Sequence, residues 1–252
     1  MALWCRDLPL VRIARASTPR PFTLVVPYYE QPVFFARQLA DWAALPPELA
    51  AHVTVCVVDD GSPTRPATAV PRPPLGITFR LFRIGVDVRW NWLAARNIGM
   101  QHAAEGWCLL TDMDHVVPAE TMHACVYGVH NPRIAYAFSR REHTGAAIHP
   151  HSASFFLTRE LFWQVGGYDE ALAGYYGTDG DWRRRVAVVA PIVILTDELV
   201  RHEFVDDASV MRYQRKQPED AAVRALIAAR RPGWRPRVLS FPYAEVTQAV
   251  PS

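Results

Sequence analysis

Trp107-Cys108-Leu109-Leu110-Thr111-Asp112-Met113-Asp114-His115 is the stretch on which the reading of this chain turns. Its first four residues are an unbroken apolar run, the pattern of a short strand buried on both faces. The run ends in two carboxylates separated by one residue. Acids at the C-terminal end of a strand lie where open α/β sheets bind their ligands. Two of them so spaced can share a divalent cation, whose usual ligands are oxygens and whose usual companions are phosphates. A single acid in this place is as often a helix cap or turn former, so the rest of the chain has to decide.

Working outward, the same arrangement occurs once more. Val53–Val58 is a β-branched apolar run that ends in Asp59-Asp60-Gly61-Ser62. Four carboxylates at one edge of a sheet repel one another unless a cation or a hydrogen-bonding ligand lies among them. Phe22–Val26 reads as a first strand, stopped by Pro27 and followed by Tyr28-Tyr29-Glu30, and Ile77–Ile84 alternates as a further strand. Helical spacing appears over Val33–Leu45, Asn91–Ala104 and after Pro118. Pro63–Pro74, with five prolines, is a loop. Strands alternating with helices in this order define a parallel, doubly wound α/β half. Beyond it come short strands at Ile134–Phe138, Ser154–Leu157 and Ile192–Leu195. A loop holds His143, His149 and His151, a helix starts at Arg159, and another is entered through Gly177-Thr178-Asp179-Gly180-Asp181-Trp182. Asp220–Arg230 forms an alanine-rich helix.

Composition bounds the function. The 252 residues are half hydrophobic and 21% charged with a formal net charge of +2, which fits one globular core and argues against a dedicated nucleic-acid surface. No apolar run approaches the ~20 residues of a membrane span, although peripheral membrane contact stays compatible with the basic clusters. Arg6, Asp7, Arg12 and Arg15 break up the N-terminus, so no secretory leader is expected. Cys5, Cys56, Cys108 and Cys125 form no metal-binding spacing and read as reduced, buried side chains, which suits a cytoplasmic setting.

Five segments in order carry a family resemblance. Pro27-Tyr28-Tyr29, Val58-Asp59-Asp60-Gly61-Ser62, Ala95-Arg96-Asn97-Ile98-Gly99, and Thr111-Asp112-Met113-Asp114 with Pro118 resemble family 2 glycosyltransferases of the GT-A fold. Val165-Gly166-Gly167-Tyr168-Asp169-Glu170, followed by Gly177-Thr178-Asp179-Gly180-Asp181 with Arg185, is similar to the acceptor segment of galactosyltransferase-type enzymes. The resemblance implies a mostly parallel, doubly wound sheet with helices on both faces and a small acceptor-side subregion. It divides the chain into a lead-in (1–20), a catalytic domain (21–205, donor half 21–130 and acceptor half 131–205) and a helical extension (206–252).

The activity so implied is transfer of a sugar from a nucleotide-diphosphate donor, a UDP-sugar, to a glycan or other hydroxyl acceptor, with Mn²⁺ or Mg²⁺ as cofactor and inversion at the anomeric carbon. By the same resemblance Pro27 and Tyr29 would flank the nucleobase and Asp60 would bond its edge. Arg96 would offset phosphate charge, Asp112 would meet the ribose or the metal shell, and Asp114 would bind the metal. His202 would be a third ligand, against the alternative of a structural hydrogen bond. Asp179 would be the base. Asp181, Trp182 and Tyr176 would border the acceptor, with helix capping by Asp181 and core packing of the aromatics as the competing readings. Thr178 stands where relatives have glutamate and Glu30 where they have asparagine, which leaves the acceptor undefined. Two other functions stay in view: a non-catalytic module that binds nucleotide sugar or glycan, and a sugar-nucleotide pyrophosphorylase. The latter needs a glycine-rich basic turn that Pro27-Tyr28-Tyr29-Glu30 does not supply.

Overall fold

A computed structural model of the chain describes residues 5, 7–175, 177–203 and 218–247, the side chains of 218–220 excepted. In chain order, β1 (Leu10–Val11) lies in the lead-in, and residues 21–130 hold β2 (Phe22–Tyr28), α1 (Pro32–Ala43), α2 (Pro47–Ala50), β3 (Val53–Asp59), β4 (Thr78–Ile84), α3 (Trp92–His102), β5 (Trp107–Leu110), β6 (His115–Val116) and α4 (Ala119–Tyr127). Residues 131–205 add β7 (Ala135–Glu142), β8 (Ala147–Ile148), β9 (Phe155–Thr158), α5 (Arg159–Val165), α6 (Asp179–Val189) and β10 (Ile192–Arg201). After it come α7 (Pro218–Ala228) and β11 (Tyr243–Glu245).

One sheet runs β1-β10-β7-β9-β5-β2-β3-β4-β11. Its long ladders, β2–β3, β3–β4, β2–β5 and β10–β7, are parallel, as expected of strands joined by crossover helices. The short strand β9 is antiparallel to both β5 and β7 and joins the two halves. From β2 the chain winds outward through β3 and β4, then returns to place β5 on the other flank of β2. Strand order therefore reverses between β2 and β5, and the crevice at the C-terminal ends of these strands is the natural ligand position in such a sheet.

Side chains alternate across the strands. Leu24, Val26, Val55 and Val57 pack under α1 and α4, whereas Val25, Cys56 and Val58 pack under α3, α5 and α6. Both faces are covered, which explains the continuous apolar runs. The first strand extends past its expected stop at Val26. Thr111 donates to the Val25 carbonyl on the β5 flank, and Asp60 donates to the Tyr28 carbonyl on the β3 flank. Pro27 therefore faces the flank where β5 has already ended, and its missing N–H leaves no ladder bond unmade.

Gly99 explains the close seat of α3 on β2. A Cβ there would lie 2.3 Å from Val25 Cγ1, and Val25 is fully buried. Gly99→Ala is expected to lower stability by about 1–3 kcal/mol through overpacking, seen as a lower urea midpoint at unchanged slope. An unchanged midpoint would show that the helix moves freely on the sheet.

The C-terminal extension contains its expected helix, α7, and then departs from a purely helical reading. Residues 230–242 cross the α3 face as an irregular strap, and β11 joins the far edge of the sheet antiparallel to β4. Buried Glu170 anchors the strap, accepting from the Leu239 and Ser240 amides (both 2.7 Å). Asn97 donates to the same carboxylate at 2.8 Å and to the Tyr168 carbonyl, so the Arg96-Asn97 segment and the Gly166–Glu170 turn form one unit. Among the described residues no helix is long and apolar enough to cross a membrane.

Candidate active site

A cleft of about 330 Å³ opens at the reversal point. Tyr29, Asp60, Asp112 and Asp114 reach it from the strand ends, His151 from the loop before β9, and Asp179 from the start of α6. Pro27 also lines it.

The Asp59-Asp60-Gly61-Ser62 turn divides its labour, so the four-carboxylate edge expected from sequence becomes three. Asp59 turns inward and accepts from the Ser62 and Ala67 amides, each at 2.8 Å, which builds the proline-rich loop. Gly61 has φ +75°, and a Cβ there would lie 2.1 Å from the Val86 carbonyl oxygen, so only glycine fits. Asp60 is left facing the cleft. It is 4% exposed, its carboxylate accepts from the Asn91 amide, and its Oδ1 has no partner among the described residues. Burial, aided by the nearby charges of Asp59 and Asp87, pushes its carboxyl well above the usual carboxylate range. Tyr29 is steadied by its hydroxyl, which donates to Asp87 at 3.0 Å. Glu30 adopts φ +53°, a left-handed conformation that asparagine tolerates best among side-chain-bearing residues. Its carboxylate accepts from the Thr64 and Arg65 amides at 2.8 Å and so fastens the same loop.

The next acidic turn is held from behind. Arg96, expected near the nucleotide, is fully buried and does not itself line the cleft, although it lies directly behind Asp112, which does. Its guanidinium donates to Asp112 at 2.5 Å, to Tyr168 Oη at 3.0 Å and to the Ala153 carbonyl, and lies 4.8 Å over the Trp92 ring. A buried cation needs such partners, and any effect on a ligand passes through Asp112. The second Asp112 oxygen lies 3.4 Å from His151 Nε2. Burial pushes His151 down to about 4, with Asp112 opposing, so its ring is neutral at pH 7. Asp114 Oδ1 lies 2.7 Å from His115 Nδ1, and His115 Nε2 meets Arg140 Nη1 at 3.0 Å. Guanidinium can only donate, so Nε2 is the acceptor and Nδ1–H donates to Asp114.

His202 arrives through the pairing of β6 with β10, where Arg201 stands opposite His115. Its amide donates to the Asp114 carbonyl at 2.8 Å, and its ring stacks on Phe34 with centroids 5.6 Å apart. Burial lowers its pKa, and its Nε2 is buried without a partner among the described residues. A neutral imidazole with an orphaned nitrogen, on a residue whose backbone pairs with that of Asp114, is of a kind that can bind a divalent cation. The described residues do not gather Asp112, Asp114 and His202 into a three-ligand cluster, and Asp112 is engaged by Arg96. Asp114 and His202 are the residues that could hold an ion, with phosphate oxygens completing its shell, although His202 does not itself line the cleft and an imidazole is a poor ligand for oxygen-seeking Mg²⁺.

On the acceptor side Asp179 lines the cleft, and among the described residues Asp181 and Trp182 do not. At about 100° per helical residue, Asp181 points some 200° away from Asp179. It is buried against Arg185 and Arg230, at 3.1 and 2.5 Å, and neither borders the cleft nor caps the helix by its side chain. Trp182 is 1% exposed and stacks on Tyr168 at 4.8 Å, so it belongs to the core and not to the acceptor surface. Tyr176 lies outside the described residues. The sequence reading missed the roles of His151, Arg140 and Arg230. The only local signal was the cluster of histidines before β9. His151 pairs locally with Ser154 but meets Asp112 across the fold, Arg140 meets His115, and the carboxylates that Arg230 binds lie far away in sequence.

The sequence matches no protein-family model and no curated protein. Solved structures do share its architecture. Staphylococcus aureus TarS residues 1–349, in complex with UDP-GlcNAc, matches at TM-score 0.65 and 17% identity over 82% of this chain and 65% of that one. The mannosyltransferase PcManGT from Pyrobaculum calidifontis, with GDP-Man and Mn²⁺, matches at 0.58 and 17% over 86% and 71%. GalNAc-T7 with UDP, GalNAc and Mn²⁺ matches at 0.54 and 13% over 75% and 45%. The class is therefore an α/β sheet with its ligand crevice at the strand-order reversal. Its particular form is the GT-A glycosyltransferase fold, of which this chain spans 65% of the TarS segment.

Proposed function

We propose that the chain is a metal-assisted glycosyltransferase that takes a UDP-sugar as donor and a hydroxyl group as acceptor, with inversion. One observation carries the reading: a single cleft holds three strand-end carboxylates from the donor half and a fourth, Asp179, from the acceptor half. The partnerless Oδ1 of Asp60 suits the imide N–H of uracil, with the Tyr29 ring beside it. Asp112, held by Arg96, is set to accept from ribose hydroxyls. Asp114 and His202 would hold Mn²⁺ or Mg²⁺, and GDP-Man and UDP complexes of structural neighbours contain Mn²⁺. The ion, when bound, would offset charge on the departing diphosphate. Asp179 would take the proton of the acceptor hydroxyl as it attacks from the side opposite the leaving group. That geometry inverts the anomeric centre.

Calorimetry with UDP tests the donor side. Mn²⁺ is expected to tighten UDP binding, and Asp114→Asn to weaken the metal-dependent part about 10- to 100-fold. UDP binding that ignores Mn²⁺ would overturn the Asp114–His202 assignment.

A further inference from the structure

The C-terminal strap carries a four-charge cluster that the proposed chemistry does not use. Arg230 donates through Nη1 to Asp181 (2.5 Å) and through Nη2 to Asp169 (2.8 Å) and Asp181 (3.2 Å). Its guanidinium lies 3.7 Å from the Trp234 ring centroid, which closes the outer side. Arg185, one helical turn beyond Asp181, donates to Asp181 and to the carbonyls of Val165 (2.9 Å) and Gly167 (2.7 Å). The strap amide of Arg237 donates to the other Asp169 oxygen at 3.1 Å. The side chains of Asp169 and Asp181 are 2% and 4% exposed. Two buried carboxylates and two guanidiniums thus link three segments: the first turn of α6, the Gly166–Glu170 turn and the strap.

Their position gives the cluster its consequence. Asp181 is two residues from Asp179 in the same first turn, and Trp182 on that turn rests on Tyr168, whose hydroxyl receives Arg96. The turn is therefore fixed from beneath by aromatic stacking and from outside by Arg230. We propose that Arg230 is a positioning residue: through Asp181 it holds the first turn of α6 so that Asp179 stays at the mouth of the cleft. The proposal rests on Asp179 being the base. Lysine cannot replace the fork, because a point charge does not span two carboxylates as a planar guanidinium does.

Three variants test it: Arg230→Met, Arg230→Lys, and Arg230→Met combined with Asp181→Asn, which keeps the buried charges balanced. Arg230→Met strands a carboxylate and is expected to lower Tm. The double variant is expected to recover Tm while the Trp182 and Arg183 amides exchange hydrogen on the order of tenfold faster than in the wild-type protein. Release of UDP from UDP-glucose, UDP-galactose or UDP-N-acetylglucosamine, whichever the wild-type protein turns over, should stay about 10- to 100-fold slower in kcat. The Kd for UDP with Mn²⁺ should not change, and Arg230→Lys should fall between. Turnover that recovers with Tm in the double variant would reduce Arg230 to charge balance and overturn the proposal, as would unchanged amide exchange. If the wild-type protein turns over none of the three sugars, the reading of Asp179 fails, and amide exchange alone decides whether Arg230 holds the turn.

Discussion

Asp179→Asn is expected to lower turnover of a UDP-sugar about 10²- to 10⁴-fold and to leave UDP affinity where it was. The two halves of that expectation come from different elements. Asp60, Asp112 and Asp114 stand at the ends of β3 and β5, so the side of the cleft proposed for the nucleotide is built without α6. Asp179 opens α6 and is the carboxylate that the acceptor half contributes to the same cleft. Asparagine keeps the size and the place of the side chain at the head of the helix, where a polar group is tolerated, but it cannot take a proton from a hydroxyl. The measurement pairs UDP release from the sugar nucleotide with calorimetry of UDP and Mn²⁺. Equal turnover in the variant would remove Asp179 from the chemistry. Tight UDP binding with no turnover even in the wild-type chain would favour a binding module instead.

The donor half was legible because its signals are local. Apolar runs of the right length predicted β2, β3 and β5, and the acids that end them follow from the chain itself. The reversal of strand order could be expected from alternating strands and helices. Neighbour choice was harder. Phe155–Thr158 reads as a strand, yet nothing within four residues says that it runs antiparallel between β5 and β7. Arg96 was visible as a motif cation, but its burial is set by Tyr168 and Ala153, and its direction could not be read from the helix that carries it. Asp181 is different: a helix beginning at Asp179 already turns a residue two places on to the opposite face, so its absence from the cleft was implied by helical geometry. Strand β11 has three residues and no pattern of its own. Its place comes from pairing with β4 and from Tyr243 packing on Phe82, with Arg80 binding Glu245 through two nitrogens at 2.8 and 2.9 Å. His202 stood open between ligand and structural roles because both depend on the β6–β10 pairing that brings it to Asp114.

Asp60→Asn is expected to move stability and binding in opposite directions. In the folded protein the Asp60 carboxylate is buried, has one oxygen without a partner among the described residues, and lies near Asp59 and Asp87. Its pKa is raised, so the fold binds its proton more tightly than the unfolded chain does. The resulting stability is fully present below the unfolded carboxyl value of about 3.9 and is lost as pH rises through the folded value. Asparagine carries no charge to bury, so urea unfolding at pH 7 should show a gain of about 1–3 kcal/mol, of the order by which a stranded polar group destabilises a core. The gain should shrink toward pH 4, where aspartic acid is itself protonated. UDP affinity should fall about 10- to 100-fold, because a charge-assisted hydrogen bond to the base edge becomes a neutral one. A variant both less stable and weaker in binding would mean that the carboxylate belongs to the architecture of the turn. Higher stability with unchanged UDP affinity would mean that the base edge is read elsewhere. Only the opposed pair of shifts identifies Asp60 as a group kept ionisable in a place that disfavours its charge, with one oxygen left for a donor that the described residues do not supply.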